Sequence, residues 1–144
     1  ANLSEVNLNG ADLSGADLTG SNLRCASTID VNFSNSICVG ADLRICGFHD
    51  VDFSGADLRE VQFERNEFIN INFSGADLRG VVFLDVDDLI SLNFSGADLR
   101  GTNMSDFGFW DANEFNFTGA IVDSTTILPE GFVFDSETGK VVKI

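Results

Sequence analysis

Large apolar residues return every five positions along this chain, at Leu3, Leu8, Leu13, Leu18 and Leu23, then from Phe33 to Phe83 with few lapses. Two residues before each stands a small or apolar one, among them Ala11, Ala16, Val31, Ala41, Val51, Ala56 and Ile71. Between the two lies Asp or Asn, as at Asp12, Asp17, Asn32, Asp42, Asp52, Asp57, Asn72 and Asp77. A period of five fits neither regular element. An α-helix would scatter such residues around its circumference, and one long strand would send successive repeats to opposite faces. A short extended piece followed by a corner satisfies the pattern. Within each piece the small and the large residue point inwards and the Asp or Asn outwards. The fifth residue turns the corner and is often Gly (Gly10, Gly15, Gly20, Gly40, Gly55, Gly75), which tolerates positive φ.

A longer period encloses the short one. VDFSGADLRE at Val51–Glu60 returns as INFSGADLRG at Ile71–Gly80, and as LNFSGADLRG at Leu92–Gly101, one residue late. The strings ANLSE, ADLSG, ADLTG, ADLRG and VDFSG follow the A(D/N)LXX motif, and the chain resembles the pentapeptide-repeat family from Ala1 to about Asp111, more weakly to about Leu128. The resemblance implies an all-β, right-handed quadrilateral β-helix with twenty residues per coil, matching the period of the long repeat.

Stacking positions modulo twenty predicts one inward column of Leu13, Phe33, Phe53, Phe73 and Phe94, and a second that includes Leu58, Leu78 and Leu99. At roughly 4.8 Å per coil the repeats make a rod on the order of 25–30 Å long. Outside the second column, Asp57, Asp77 and Asp98 with Arg59, Arg79 and Arg100 are expected to form a surface salt ladder that offsets like-charge repulsion between coils. The helix is expected over residues 1–128, with register breaks near 86 and at 110–115. Residues 129–144 leave the repeat after Pro129, and Phe132–Phe134 and Val141–Lys143 read as a hairpin-like cap over the open end. A cap for the first coil is expected either to lie upstream of Ala1 or to have been removed.

Composition restricts the function. The net charge of −15, with Lys140 and Lys143 the only lysines, disfavours binding to nucleic-acid phosphates or an anionic membrane. No apolar run reaches the roughly 18 residues of a membrane span, so no membrane insertion is expected. One His, no Tyr, no nucleophile elbow and no phosphate loop argue against catalysis. The Asp residues recur at the pentapeptide spacing, which marks them as architecture. Three Cys without a CxxC pair make no metal site, and no cofactor is expected. Cys38 and Cys46 fall at inward positions and Cys25 at a corner; a Cys25–Cys46 bond is open, with buried free thiols the preferred reading.

The expectation is a non-catalytic, monomeric interaction module with an unidentified protein partner. The candidate surface lies at the two breaks, at Asp85, Asp87 and Asp88 and at Asp106, Trp110 and Asp111. The closing stretch TGAIVDSTTILPEGFVFDSETGKVV resembles the ends of cyanobacterial and plastid family members, and the size and layout resemble those of plant thylakoid-lumen members. Those resemblances imply residence in the chloroplast thylakoid lumen after transit-peptide removal. The alternative is an acidic DNA mimic, since some members that protect gyrase from quinolones are acidic rods.

Overall fold

The fold is set first by the backbone at the corners. Positive φ recurs at every fifth residue from Glu5 to Asp85, then at Ser91, Gly96 and Gly101. At many corners the carbonyl of the large residue accepts a hydrogen bond from the N–H three residues on. Examples are Ala11 N to Leu8 O at 2.8 Å and Ala56 N to Phe53 O at 3.0 Å, the arrangement of a type II turn. Ile45 adopts φ 58°, where a β-branched residue costs on the order of 1 kcal/mol or more.

The computed structural model describes residues 1–107 and 114–144. Between corners the chain pairs with itself one coil away, in parallel. Leu3 N donates to Asn22 O and Asn22 N to Ala1 O, and the same pair of bonds returns one coil on, from Leu23 N to Asp42 O and from Asp42 N to Ser21 O. The result is an all-β, right-handed quadrilateral β-helix. Two adjoining faces share a five-stranded parallel sheet built from β1 (Ser27–Ile29), β2 (Gly47–Asp52), β4 (Glu67–Asn72), β6 (Leu89–Asn93) and β7 (Phe115–Asn116). Both β2 and β4 run unbroken through the corners at Asp50 and Asn70. Another face pairs β3 (Phe63–Glu64) with β5 (Phe83–Leu84). The remaining pairing is by single bridges, as in Asp57 with Asp77 and Asp77 with Asp98.

Pairing partners locate the register slips. Phe63 pairs with Phe83 but Phe68 pairs with Leu89, so one extra residue enters between β5 and β6. Val82 pairs with Asn103 but Leu92 with Phe115, which places the second slip in a stretch that includes residues 108–113, outside the described set. A third slip was not expected: Asp98 pairs with Ile121 but Asn103 with Ile127, so one more residue is taken up at Val122–Thr126. There Thr126 Oγ1 donates to Leu99 O at 2.8 Å and Asp123 Oδ1 accepts from Thr125 N at 2.8 Å.

The ladder stacks each inward residue on its equivalent. Phe33, Phe53, Phe73, Phe94 and Phe117 form one column, with ring centroids 4.9, 5.4, 5.2 and 5.3 Å apart and planes within 7°. Leu13, at the end of that column, is only half-buried. Two further stacks, Phe48 on Phe68 and Phe63 on Phe83, meet the first edge to face. Leu58, Leu78 and Leu99 are fully buried on the neighbouring wall. Inward polar residues reach carbonyls of adjacent coils, as Thr102 Oγ1 does to Leu78 O and Asn66 Nδ2 to Leu43 O, both at 2.8 Å.

The last coil is covered by an antiparallel hairpin, β8 (Phe132–Asp135) with β9 (Lys140–Lys143). Phe132 packs edge to face on Phe117 at 5.0 Å.

Phe68 is fully buried and touches four other rings, so its truncation opens a cavity in the centre of the aromatic core. Phe68→Ala is expected to lower unfolding stability by about 3–5 kcal/mol in urea titrations. Ile45→Asn is expected to raise it by about 0.5–1 kcal/mol, because Asn accepts positive φ more readily.

Candidate functional site

The outward Asp and Asn residues have a local task. Each accepts a hydrogen bond from the backbone N–H two residues on: Ser14 N to Asp12 Oδ1 at 3.0 Å, Thr19 N to Asp17 Oδ1 at 3.0 Å, Ser54 N to Asp52 Oδ1 at 2.8 Å, Ser74 N to Asn72 Oδ1 at 3.0 Å. The corner would otherwise leave that donor without a protein partner, and a short side-chain oxygen is the acceptor that reaches it. This explains why Asp or Asn recurs at the position, with Gln62 and Glu67 among the exceptions.

Three of these carboxylates carry a second load. Arg59 binds Asp57 at 2.6 Å, Arg79 binds Asp77 at 2.7 Å and Arg100 binds Asp98 at 2.6 Å. Each of the first two arginines also lies 3.7 Å from the next Asp, Arg59 from Asp77 and Arg79 from Asp98, so the six side chains make one continuous ladder. Arg44 repeats the motif on Asp42 at 2.8 Å on another face. The Arg59 side chain hydrogen-bonded to Asp57 holds that carboxyl below the usual carboxylate range, against a smaller upward push from burial; Arg100 does the same for Asp98.

The acidic residues at the breaks are only partly gathered. Asp85, Asp87 and Asp106 line one open depression of about 550 Å³ with Arg65, Val86 and Ser105. Asp106 Oδ2 accepts from Asp85 N at 3.1 Å. Asp88 does not join them. It stands at the start of the coil's next face, where its carbonyl accepts from Phe68 N, and so belongs to a different surface. Trp110 and Asp111 lie outside the described residues. Among the described residues, no three or more His, Cys, Asp or Glu are grouped to hold a metal ion.

The face carried by β1, β2, β4 and β6 is built differently. Its outward column is Ile29, His49, Ile69 and Ile90, each paired with the next. Ile29 is 46% exposed and Ile90 44%. Equivalent positions on other faces are mostly polar, as at Ser54, Thr19 and Arg79, with Val39 and Leu84 apolar. His49 Nε2 lies 3.0 Å from Glu67 Oε2, over Gly47, whose missing side chain leaves the pair room to lie close to the sheet. This column escapes a search for conspicuous chemistry, because isoleucine at a pentapeptide X position carries none. Its signal was the period itself, three Ile in one column where the repeat elsewhere is mostly polar. A smaller apolar groove of about 250 Å³ includes Val82 and Leu84 beside Arg44 and Glu64.

A family model for pentapeptide repeats matches in eight copies, over residues 1–27, 29–65, 46–85 and 88–106. The chain belongs to the pentapeptide-repeat family. Solved structures similar to it include a pentapeptide repeat protein from the Arabidopsis thaliana thylakoid lumen, 23% identical, covering 77% of this chain and 73% of its own, with a TM-score of 0.43. A pentapeptide repeat protein from the cyanobacterium Cyanothece is 21% identical over 88% and 86% of the two chains, with a TM-score of 0.36. QnrB1, a plasmid-mediated fluoroquinolone resistance protein, is 18% identical over 85% and 92%, with a TM-score of 0.34. No curated protein sequence is significantly similar to the chain.

In this pentapeptide-repeat solenoid the three cysteines are free. Cys25 is exposed at its corner, whereas Cys38 and Cys46 are buried. The Cys46 thiol donates to Leu23 O at 3.2 Å, and burial pushes its pKa up to about 11. Burial likewise raises that of Cys38.

The ladder sets an acid limit. The folded pKa values of Asp42, Asp57 and Asp98 are lowered, so their stabilisation is complete above the unfolded carboxylate value of about 4 and is lost as pH falls through the folded values. Urea unfolding followed from neutral pH to about pH 2 is expected to show this decline. Arg79→Gln, which removes the bridge between Asp77 and Asp98, is expected to lower the urea midpoint slightly in dilute buffer and to leave it unchanged in about 1 M NaCl.

Proposed function

We propose that this protein is a non-catalytic interaction module, a rigid acidic rod that offers flat faces to another protein. The observation that carries the reading is where its chemistry-bearing side chains are engaged. Asp57, Asp77 and Asp98 are held by arginines, Asp12, Asp17 and Asp52 close turns, His49 is paired with Glu67, and the Cys38 and Cys46 thiols are buried. What stands open to a partner is apolar surface such as Ile29 and Ile90, set among carboxylates.

Duplex mimicry calls for rows of unpaired carboxylates at phosphate-like spacing. The face where carboxylates recur most regularly is the one on which Arg59, Arg79 and Arg100 neutralise them, which favours the interaction module over a DNA mimic. We infer residence in the thylakoid lumen from the likeness of the closing stretch, Thr118 to Val142, to the ends of plastid and cyanobacterial family members. Among the described residues no helix is long and apolar enough to cross a membrane.

Affinity capture from native extract with the immobilised protein is expected to return a reproducible protein partner that salt releases and duplex DNA does not displace. A gyrase supercoiling assay at micromolar protein is expected to be unaffected. Protection or inhibition of gyrase, or capture that repeatedly returns no protein, would overturn the proposal.

A further inference from the structure

The charges of this chain are sorted by face. None of its eight Lys and Arg residues falls within residues 26–35, 46–55, 66–75 or 87–96, the segments that form the Ile29–Ile90 face and the face beside it. The same segments carry Asp30, Asp50, Asp52, Glu67, Asp87 and Asp88. Asp30 and Asp50 occupy the corner positions next to Ile29 and His49, and both are exposed. Glu67 and Asp88 flank Ile69 and Ile90 from the other side. A mostly apolar stripe therefore runs up the rod between Asp30 and Asp50 on one margin and Glu67 and Asp88 on the other, with Arg65 at the corner beyond Glu67.

The stripe crosses the strands. Successive rungs lie roughly 4.8 Å apart, so Ile29 to Ile90 spans about 14 Å along the rod axis. An α-helix advances about 5.4 Å per turn, and its apolar residues at i, i+3 or i+4, and i+7 repeat at nearly that interval. A strand added to this face would cross the stripe and meet it only once, whereas a helix laid along the axis meets every rung. Resting on the interaction reading above, we propose that this face docks a basic amphipathic helix of a partner protein. The apolar side of that helix covers Ile29, His49, Ile69 and Ile90, and its Lys and Arg residues face Asp30 and Asp50 on one margin and Glu67 and Asp88 on the other. The surface is firm enough to select such a helix. Its strands are paired on both sides, and the phenyl rings of Phe48 and Phe68 lie directly beneath, fully buried. A shallow stripe of this kind supplies modest area, so the flanking charge pairs contribute attraction and orientation more than tightness.

The test uses the full chain, ¹⁵N-labelled, and a defined probe: an amidated peptide of about eighteen Leu and Lys residues with Leu at helical spacing. A scrambled peptide of the same composition is the control. The patterned peptide is expected to shift amide resonances of the Ile29, His49, Ile69 and Ile90 rungs and to bind at least about tenfold more tightly than the scrambled one. Ile69→Ser with Ile90→Ser is expected to remove about tenfold in affinity, while Val82→Ser with Leu84→Ser leaves it unchanged. An unchanged urea midpoint shows that either pair of substitutions preserves the fold. Equal binding of the scrambled peptide, shifts confined to the Arg59–Arg100 face, or full binding by the Ile69/Ile90 variant would overturn the docking face. Retention of the extract-captured partner by that variant would also overturn it, and would leave the interaction module standing.

Discussion

The parallel hydrogen-bond ladder between coils is the constraint on which the rest depends. Because it pairs each residue with its counterpart one coil away, like is stacked on like, inside and out. Inside, this aligns Phe33, Phe53, Phe73, Phe94 and Phe117 into near-parallel rings, whose offset faces and buried area stabilise the rod. Outside, the same rule brings Asp57, Asp77 and Asp98 one rung apart, an arrangement that repels unless cations are interleaved. The arginines two residues on from each Asp supply them. The acid-sensitive ladder is thus a consequence of the core's register.

Much of this fold was legible because its period is strict. The inward columns and the corners follow from spacing, since a pattern of five excludes the ordinary elements, and the hairpin at Phe132–Lys143 follows from the end of the repeat at Pro129 and the two short apolar runs after it. What spacing conceals is what happens when residues are inserted. The slip at Val122–Thr126 is blurred in the hydrophobic pattern: the inward Val122 and Leu128 stand six residues apart, but each follows an exposed Ile, Ile121 or Ile127, so the sequence does not show which of each pair faces the core. The stacks of Phe48 on Phe68 and Phe63 on Phe83 are similarly hidden, because only the closed square shows that neighbouring walls bring their rings edge to face.

The candidate surfaces divide along the same line. Sequence reasoning drew attention to charge, and Asp85, Asp87 and Asp106 do come together, but Asp88 lies beyond the corner at Asp85, where the inserted residue puts it in register with the outward Glu67 instead of the inward Phe68. The Ile29–Ile90 column went unremarked, since each Ile is ordinary alone and only the ladder assembles them. The Asp and Asn residues had been assigned to architecture on periodicity, and the turn hydrogen bonds supply the physical reason.

The ladder also governs how such a chain comes to be ordered. Nearly every coil-to-coil contact joins residues about one period apart in sequence, so each new coil pays a similar loop-closure entropy. No contact between distant ends of the chain is required. Ordering therefore proceeds as growth from a nucleus. The Phe48–Phe83 segment, where three ring stacks converge, is the natural nucleus. A rod assembled this way elongates outwards from its aromatic middle.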